Sequence, residues 1–359
     1  MHDVSAIELA HLDRMTDSTG LIQHAIFSVP RRESGYTTDD NARALRLCAR
    51  LWDRHADERM LGRVTTYLSF LEHARCPVRG FHNFLSYQRD WLDAAGTGDC
   101  QGQAVLALVE VLGSTLPEGC RAVARELIEM VVPALAELRS LRAQAYVIMA
   151  WGHLWAGETT GMEPLEHVAE LAAQRLVECY HRSYRPDWHW FESRLTYANA
   201  VLPQALYVAA KCWPNERCLE IAEASFAFLD RVTTSDDMFW PIGNCDWYPH
   251  GEVKALYDQQ PVEASTMADA ALTAFDLTRD ERHLATFARA HRWFLGGNSL
   301  EQALADPASG ACFDGLQASG VNRNQGAEST FAWLWTALLG SEHQHSMESA
   351  SHSATLARK

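Results

Sequence analysis

What this sequence lacks narrows its chemistry first. It contains no His-Glu-x-x-His, no Gly-x-x-x-x-Gly-Lys-Ser/Thr, no Gly-x-Gly-x-x-Gly and no Gly-x-Ser-x-Gly. Zinc-protease, P-loop, dinucleotide and hydrolase-elbow chemistries therefore have no support. Basic residues are few, 31 Lys and Arg against 46 Asp and Glu for a net charge of −15, and they form no run or stripe. That argues against a nucleic-acid or anionic-membrane partner. No apolar run approaches the ~18 residues of a membrane span, and the first residues lack the basic flank and apolar core of a secretory signal. The nine cysteines are scattered, with no Cys-x-x-Cys pair, which points to reduced core thiols in a cytoplasmic protein without a structural zinc site. His181, His189 and His250 do not have metal-ligand spacing, and no cofactor or metal is implied.

What is present is a recurring design. Gly35 to Trp52, GYTTDDNARALRLCARLW, is a polar turn running into an alanine-rich apolar body. The same design returns at Asp99, Leu141, Thr196, Asp258 and Asn322. Starts separated by roughly 42 to 64 residues leave room for one helical hairpin and a loop, a repeat signature. Between them lie more charged helical segments at 56–74, 118–138, 163–182, 215–231 and 280–295, with a short amphipathic helix at 3–16 as the twelfth. Six slim helices, thin enough to converge at close interaxial distance, and six charged ones predict a single all-α (α/α)6 toroid over residues 1–340. The tail 341–359 has little to bury and is predicted to be disordered.

The long aromatic loops all precede the slim helices, and the turns after them, such as Lys211 to Asn215, are short, so function belongs on the long-loop side. Tyr87, Trp188, Trp190, Trp240 and Trp247 offer flat faces that could stack on pyranose rings, although packing of the toroid is the rival role. Glu192 lies among Trp188, Trp190 and Phe191, a setting that would keep a carboxyl protonated as an acid; a surface pair with Arg194 is the alternative. Asp39 and Asp40 open a helix, where the dipole keeps a carboxylate ionised. Asp40 then suits a base that activates water and Asp39 a binding role beside Arg43, with capping from Thr37 as the plain alternative. Asp258, Gln259, Gln260 and Glu263 form a second polar set: hydroxyl recognition by the amides, with Asp258 or Glu263 as the reserve catalytic carboxylate. Asn324 and Glu328 repeat the arrangement as binding residues, with N-capping by Asn324 as the rival. Asp314 could be a turn residue or a site residue, and Gly243 to Asp246 reads as a subsite loop.

The architecture and these carboxylate-rich loops resemble the six-hairpin glycosidase superfamily. The strings GYTTDDNARAL, WFESRLTYANAVLPQAL, FWPIGN, YDQQPVEA and NQGAEST also resemble a bacterial group found alone or attached to glycosyltransferase domains. The resemblance implies a carbohydrate-active enzyme without assigning its catalytic pair. The local arguments above nominate Asp40 and Glu192, with Glu263 in reserve, as the carboxylates of an inverting glycoside hydrolase or phosphorylase acting on an oligosaccharide or glycoconjugate. A sugar epimerase is the alternative, weakened because His153 is the one histidine within the slim helices. A glycan-binding accessory domain partnered with a glycosyltransferase is the third reading.

Overall fold

The structure, a computed structural model, describes residues 7–76, 79–155, 157 and 160–356, side chains of 348–356 excepted. Six helices form the first half: α1 (Ala10–Met15), α2 (Thr38–His55), α3 (Glu58–His73), α4 (Gly98–Gly113), α5 (Glu118–Leu135) and α6 (Leu141–Leu154). The second half continues with α7 (Glu163–Ser183), α8 (Val201–Cys212), α9 (Glu216–Val232), α10 (Pro261–Thr278), α11 (Arg282–Phe294) and α12 (Ala327–Leu356). The even-numbered helices pack side by side in the order α2, α4, α6, α8, α10, α12, and α12 returns to α2, closing an inner ring. Helices α3, α5, α7, α9 and α11 each back onto the inner helix before them, and α1 packs on α12.

Burial separates the two rings. Every residue of α4 from Cys100 to Val111 is buried, as is every residue of α6 from Arg142 to Trp151, the mark of a helix with protein on all sides. Outer helix α11 buries His283, Thr286, Ala290, Trp293 and Phe294, one face at helical spacing. Fully buried side chains such as Leu106 and Leu206 stabilise by roughly 1.5–3 kcal/mol each. Small residues set the inner spacing: a Cβ on Gly102 would meet the Ala143 carbonyl and the Tyr146 ring at 3.0 Å, and one on Gly152 would collide with Val208.

The N-terminal ends of the inner helices gather at one mouth, joined by Ser140 to Asp99 (2.7 Å), Arg142 to Thr196 (2.6 Å) and Arg43 to Glu328 (3.1 Å). The loops feeding this mouth fold into two-stranded antiparallel ladders, among them Tyr36–Thr37 with Phe84–Leu85 and Arg194–Leu195 with Tyr248–Pro249. Further down the bore Glu110 accepts from Arg46 at 3.3 Å and lies 3.4 Å from His153. The Arg46 guanidinium covers the Trp335 ring at 3.9 Å, and the Trp335 indole donates to Asp269 at 2.8 Å. These contacts narrow the bore below the mouth to a cavity of about 40 Å³ bounded by residues of all six inner helices, Arg46, Asp269 and Trp335 among them.

Three boundaries differ from expectation. The first helix begins at Ala10 rather than residue 3, and residues 3–6 of that reading lie outside the described residues. Helix α8 starts at Val201, so Thr196 to Ala200 form a turn ahead of it. Of the tail expected to be disordered, residues 341–356 continue α12 past Gly340, and residues 357–359 lie outside the described residues. Ser341 is buried and accepts from Arg54 at 2.9 Å, and Arg50 grips both oxygens of Glu342 at 3.0 and 3.1 Å. A bidentate guanidinium pair supplies the anchor that a count of apolar residues overlooks.

Candidate active site

The mouth is built outward from the start of α2. Gly35, at φ 66°, lies against the Leu85 carbonyl where a Cβ would clash, and this brings Tyr36–Thr37 into its ladder with Phe84–Leu85. Thr37 caps the helix, accepting from the Asp40 N–H at 3.4 Å and donating its hydroxyl to the Asp40 carboxylate at 2.8 Å. Asn83 accepts from the N–H groups of Thr38 and Asp39 at 3.1 and 3.3 Å. One turn on, Arg43 reaches Asp40 at 2.8 Å, Glu328 at 3.1 Å and Asp39 at 3.8 Å.

Above this clamp opens a cavity of about 360 Å³ whose wall includes five carboxylates, Asp39, Asp40, Asp258, Asp314 and Glu328, with Arg43 as its one arginine. Asp314 is occupied by the Gly326 N–H at 2.6 Å and the Ser329 hydroxyl at 2.8 Å. Asp258 is half-buried, and its carboxylate has no hydrogen-bond partner among the described residues. Asp40 differs from both. Burial, aided by repulsion from Asp39 and Glu328 and opposed by Arg43 and Thr37, pushes its carboxyl up to about 7. The cavity thus holds one carboxyl that keeps its proton near neutrality and another that is open to a ligand.

Across the mouth, Arg142 gathers a second group. It donates to the Tyr197 carbonyl at 2.5 Å, to Thr196 at 2.6 Å and to Glu192 at 3.0 Å. The Glu192 carboxylate is therefore ion-paired, and the expected apolar surroundings are absent. Trp188 and Trp190 are 2% and 0% exposed, so they are core rings without a free face. The Trp188 indole is spent on the Glu192 backbone carbonyl. Glu263 is buried too, and burial pushes it up to about 7 against the hydrogen bonds it receives. Those bonds come from the Ala198 N–H and, at 3.0 Å, from the Asn199 amide. Glu263 acts as a strut under the Thr196–Ala200 turn, not as a wall of the cavity.

The remaining expected residues divide. Gln259 is fully buried, accepting from Trp293 at 2.9 Å and donating to the Leu256 carbonyl at 3.0 Å, which leaves no free amide for a hydroxyl. Its neighbour Gln260 lines the cavity. Asn324 accepts from the Phe27 N–H at 3.0 Å and pins the hairpin Ala25–Ile26/Val29–Pro30. Tyr87 is 38% exposed but stacks on Tyr36 at 6.2 Å. Trp240 donates to the Leu256 carbonyl at 3.2 Å. Trp247 is half-buried beside Tyr197, ring centroids 6.3 Å apart. Gln23, His24 and Asn322, which line the cavity, carried no sequence signal, because a lone polar residue in a loop looks like any solvated one.

His153 lies at the opposite end, on a groove of about 530 Å³ between the C-terminal ends of α4 and α6 and outer helix α5. It is remote from the carboxylates of the mouth. Among the described residues no group of three or more His, Cys, Asp or Glu could hold a metal ion, and no helix is long and apolar enough to cross a membrane.

Neither a family model nor a curated protein sequence matches this chain. Solved structures do. A D-mannose isomerase superposes with a TM-score of 0.71 at 14% identity, over 92% of this chain and 94% of that one. A sugar epimerase from a ruminal bacterium gives 0.70 at 10% identity, over 91% and 94%. The GH76 α-mannanase of Bacteroides thetaiotaomicron gives 0.66 at 9% identity, over 94% and 93%. At such identities the shared property is the fold alone: this chain is an (α/α)6 toroid.

Proposed function

We propose that the protein is a carbohydrate-active enzyme that cleaves a glycosidic bond with inversion in the acidic cavity at the toroid mouth. The observation that carries this reading is the contrast between two carboxyl groups on one cavity, Asp40 buried and titrating near neutrality, Asp258 unpartnered and open. Asp40, which its helix-start position suggests as the base, is better suited to be the acid, because burial outweighs the dipole. In the step, the bond between the anomeric carbon and the leaving oxygen breaks, and the Asp40 proton passes to that oxygen. A water oxygen attacks the anomeric carbon from the opposite face and gives its proton to Asp258. Arg43 holds Asp40 in place, and Asp39, Gln260 and Asn244 are placed to bond sugar hydroxyls.

The test is a screen of oligosaccharides with products followed by proton NMR. Asp40→Asn and Asp258→Asn should each lower turnover by about 10²–10⁴-fold while sugar binding persists, and the first product should have the inverted anomeric configuration. Binding without product over days would replace the enzyme reading by a glycan-binding domain serving a glycosyltransferase. An epimerase is the second reading, favoured by the superposition on a sugar epimerase and by His24 on the cavity wall. Deuterium uptake at C2 of a free sugar would establish it.

A further inference from the structure

Tyr197 is held with unusual care for a side chain that is 40% exposed. Its hydroxyl donates to Asp99 at 2.5 Å, and Asp99 accepts in turn from Ser140, the N-cap of α6. The Arg142 guanidinium, itself buried, lies 4.6 Å from the ring centroid and covers part of the ring. The backbone is pinned as well: Arg142 takes the Tyr197 carbonyl, and Glu263 takes the N–H of Ala198, a residue in the left-handed region at φ 44°. Glu192 completes the frame by pairing with Arg142. Three carboxylates, Asp99 and the two expected to do chemistry, Glu192 and Glu263, thus converge on the orientation of one tyrosine. Fixing a buried ring needs no such frame, and a surface ring without a ligand gains little from one.

The ring also has a neighbour and an address. Trp247 lies 6.3 Å away at an interplanar angle of 49°. The loops carrying the two rings are stitched together by the Leu195 and Tyr248 backbone pair. The Trp247 N–H donates to the Gly243 carbonyl at 3.2 Å, in the turn that also places Asn244 on the wall of the acidic cavity. The aromatic pair is thus tied through this turn to one wall of that cavity, while neither ring is itself part of the lining.

We propose that Tyr197, with Trp247 beside it, is the stacking platform of a second sugar subsite, so that the ligand is a disaccharide or longer glycan and not a free monosaccharide. The inference rests on the carbohydrate reading above but not on cleavage. The C–H face of a pyranose would lie on the free part of the ring, while the adjoining sugar occupies the acidic cavity. Glu263 and Arg142 are positioning residues for the platform.

The experiment is calorimetry of the full chain with mono-, di- and trisaccharides of the cello- and manno-series. Wild type should bind the disaccharide of its preferred series about tenfold or more tighter than the monosaccharide. Tyr197→Leu should remove about fivefold to tenfold of that gain, in the range of an aromatic contact, and leave monosaccharide affinity unchanged. Tyr197→Phe, which keeps the ring, should retain most of it. Glu263→Gln, which loses an acceptor for Asn199, should weaken disaccharide binding alone. Equal wild-type affinity for mono- and disaccharide, no binding of any member, or a Tyr197→Leu variant that binds as wild type would each overturn the platform. The length comparison in wild type needs no variant to fold. Length-dependent, Tyr197-dependent binding without turnover would leave the platform standing and remove the cleavage proposal. Asp40-dependent turnover with no Tyr197 effect would do the reverse.

Discussion

Replacing Asp40 by Asn tests function and electrostatics in one variant. Its carboxyl, ordinarily at 3.8, is pushed up to about 7 in the fold, chiefly by burial. The folded state therefore binds a proton that the unfolded chain has already released. Stability from this group is complete below the ordinary value, declines as pH rises, and is gone once pH passes about 7. At about 1.36 kcal/mol for each tenfold change in proton affinity, the whole effect is about 4 kcal/mol, of which about 2–3 kcal/mol falls between about pH 5 and pH 8. Asparagine has nothing to titrate, and Arg43 keeps Glu328 and Asp39 as partners. Urea unfolding of both proteins at those two pH values should show the variant gaining on wild type by that 2–3 kcal/mol at the higher pH. Glu263, raised in the same direction, is present in both and cancels. In wild type kcat/KM should fall as pH climbs past about 7, where the acid loses its proton. An equal stability difference at both pH values would refute the electrostatic argument, and full turnover by Asp40→Asn would refute the catalytic one.

Three further outcomes follow from the packing. Gly243→Ala would drive a Cβ into the Tyr257 backbone, displacing the segment that carries Asp258, so kcat should fall more than sugar affinity does. Gly152→Ala should destabilise by about 1–3 kcal/mol through overpacking against Val208, and Val208→Ala in the same chain should recover most of the loss in thermal melts. Burial would raise the Glu110 carboxyl, but His153, Arg46 and Arg50 outweigh it and hold the group below its usual range. Its stabilising contribution is thus present above the ordinary carboxylate value and lost as pH falls below it. Glu110→Gln should cost about 2–4 kcal/mol at neutral pH by leaving buried cations underpartnered, and the difference from wild type should shrink in acid unfolding.

The toroid was legible because its cause is repetitive. Six alanine-rich segments, each opened by polar residues and followed by a charged amphipathic helix, admit few arrangements other than two concentric rings. The cavity was legible in part. Asp39, Asp40, Asp258 and Glu328 begin or precede inner helices, and helix starts converge wherever parallel helices share an axis. Trp188 and Trp190 misled because a tryptophan-rich loop string has the same composition whether the rings turn inward to the core or outward to a ligand. Gln259 misled in the same way: nothing local reveals that Trp293, from another hairpin, occupies its oxygen.

From the chain alone come the ring of helices, the face on which the long loops gather and the acidic character of that face, since periodicity, loop length and charge are properties of neighbouring residues. Only the tertiary structure could decide which carboxyl stays protonated and which serves as a strut. Asp40 and Glu263 are raised by burial, and Glu192 is paired by Arg142. Burial and pairing are made by residues far apart in sequence, so they come into being only when the ring closes.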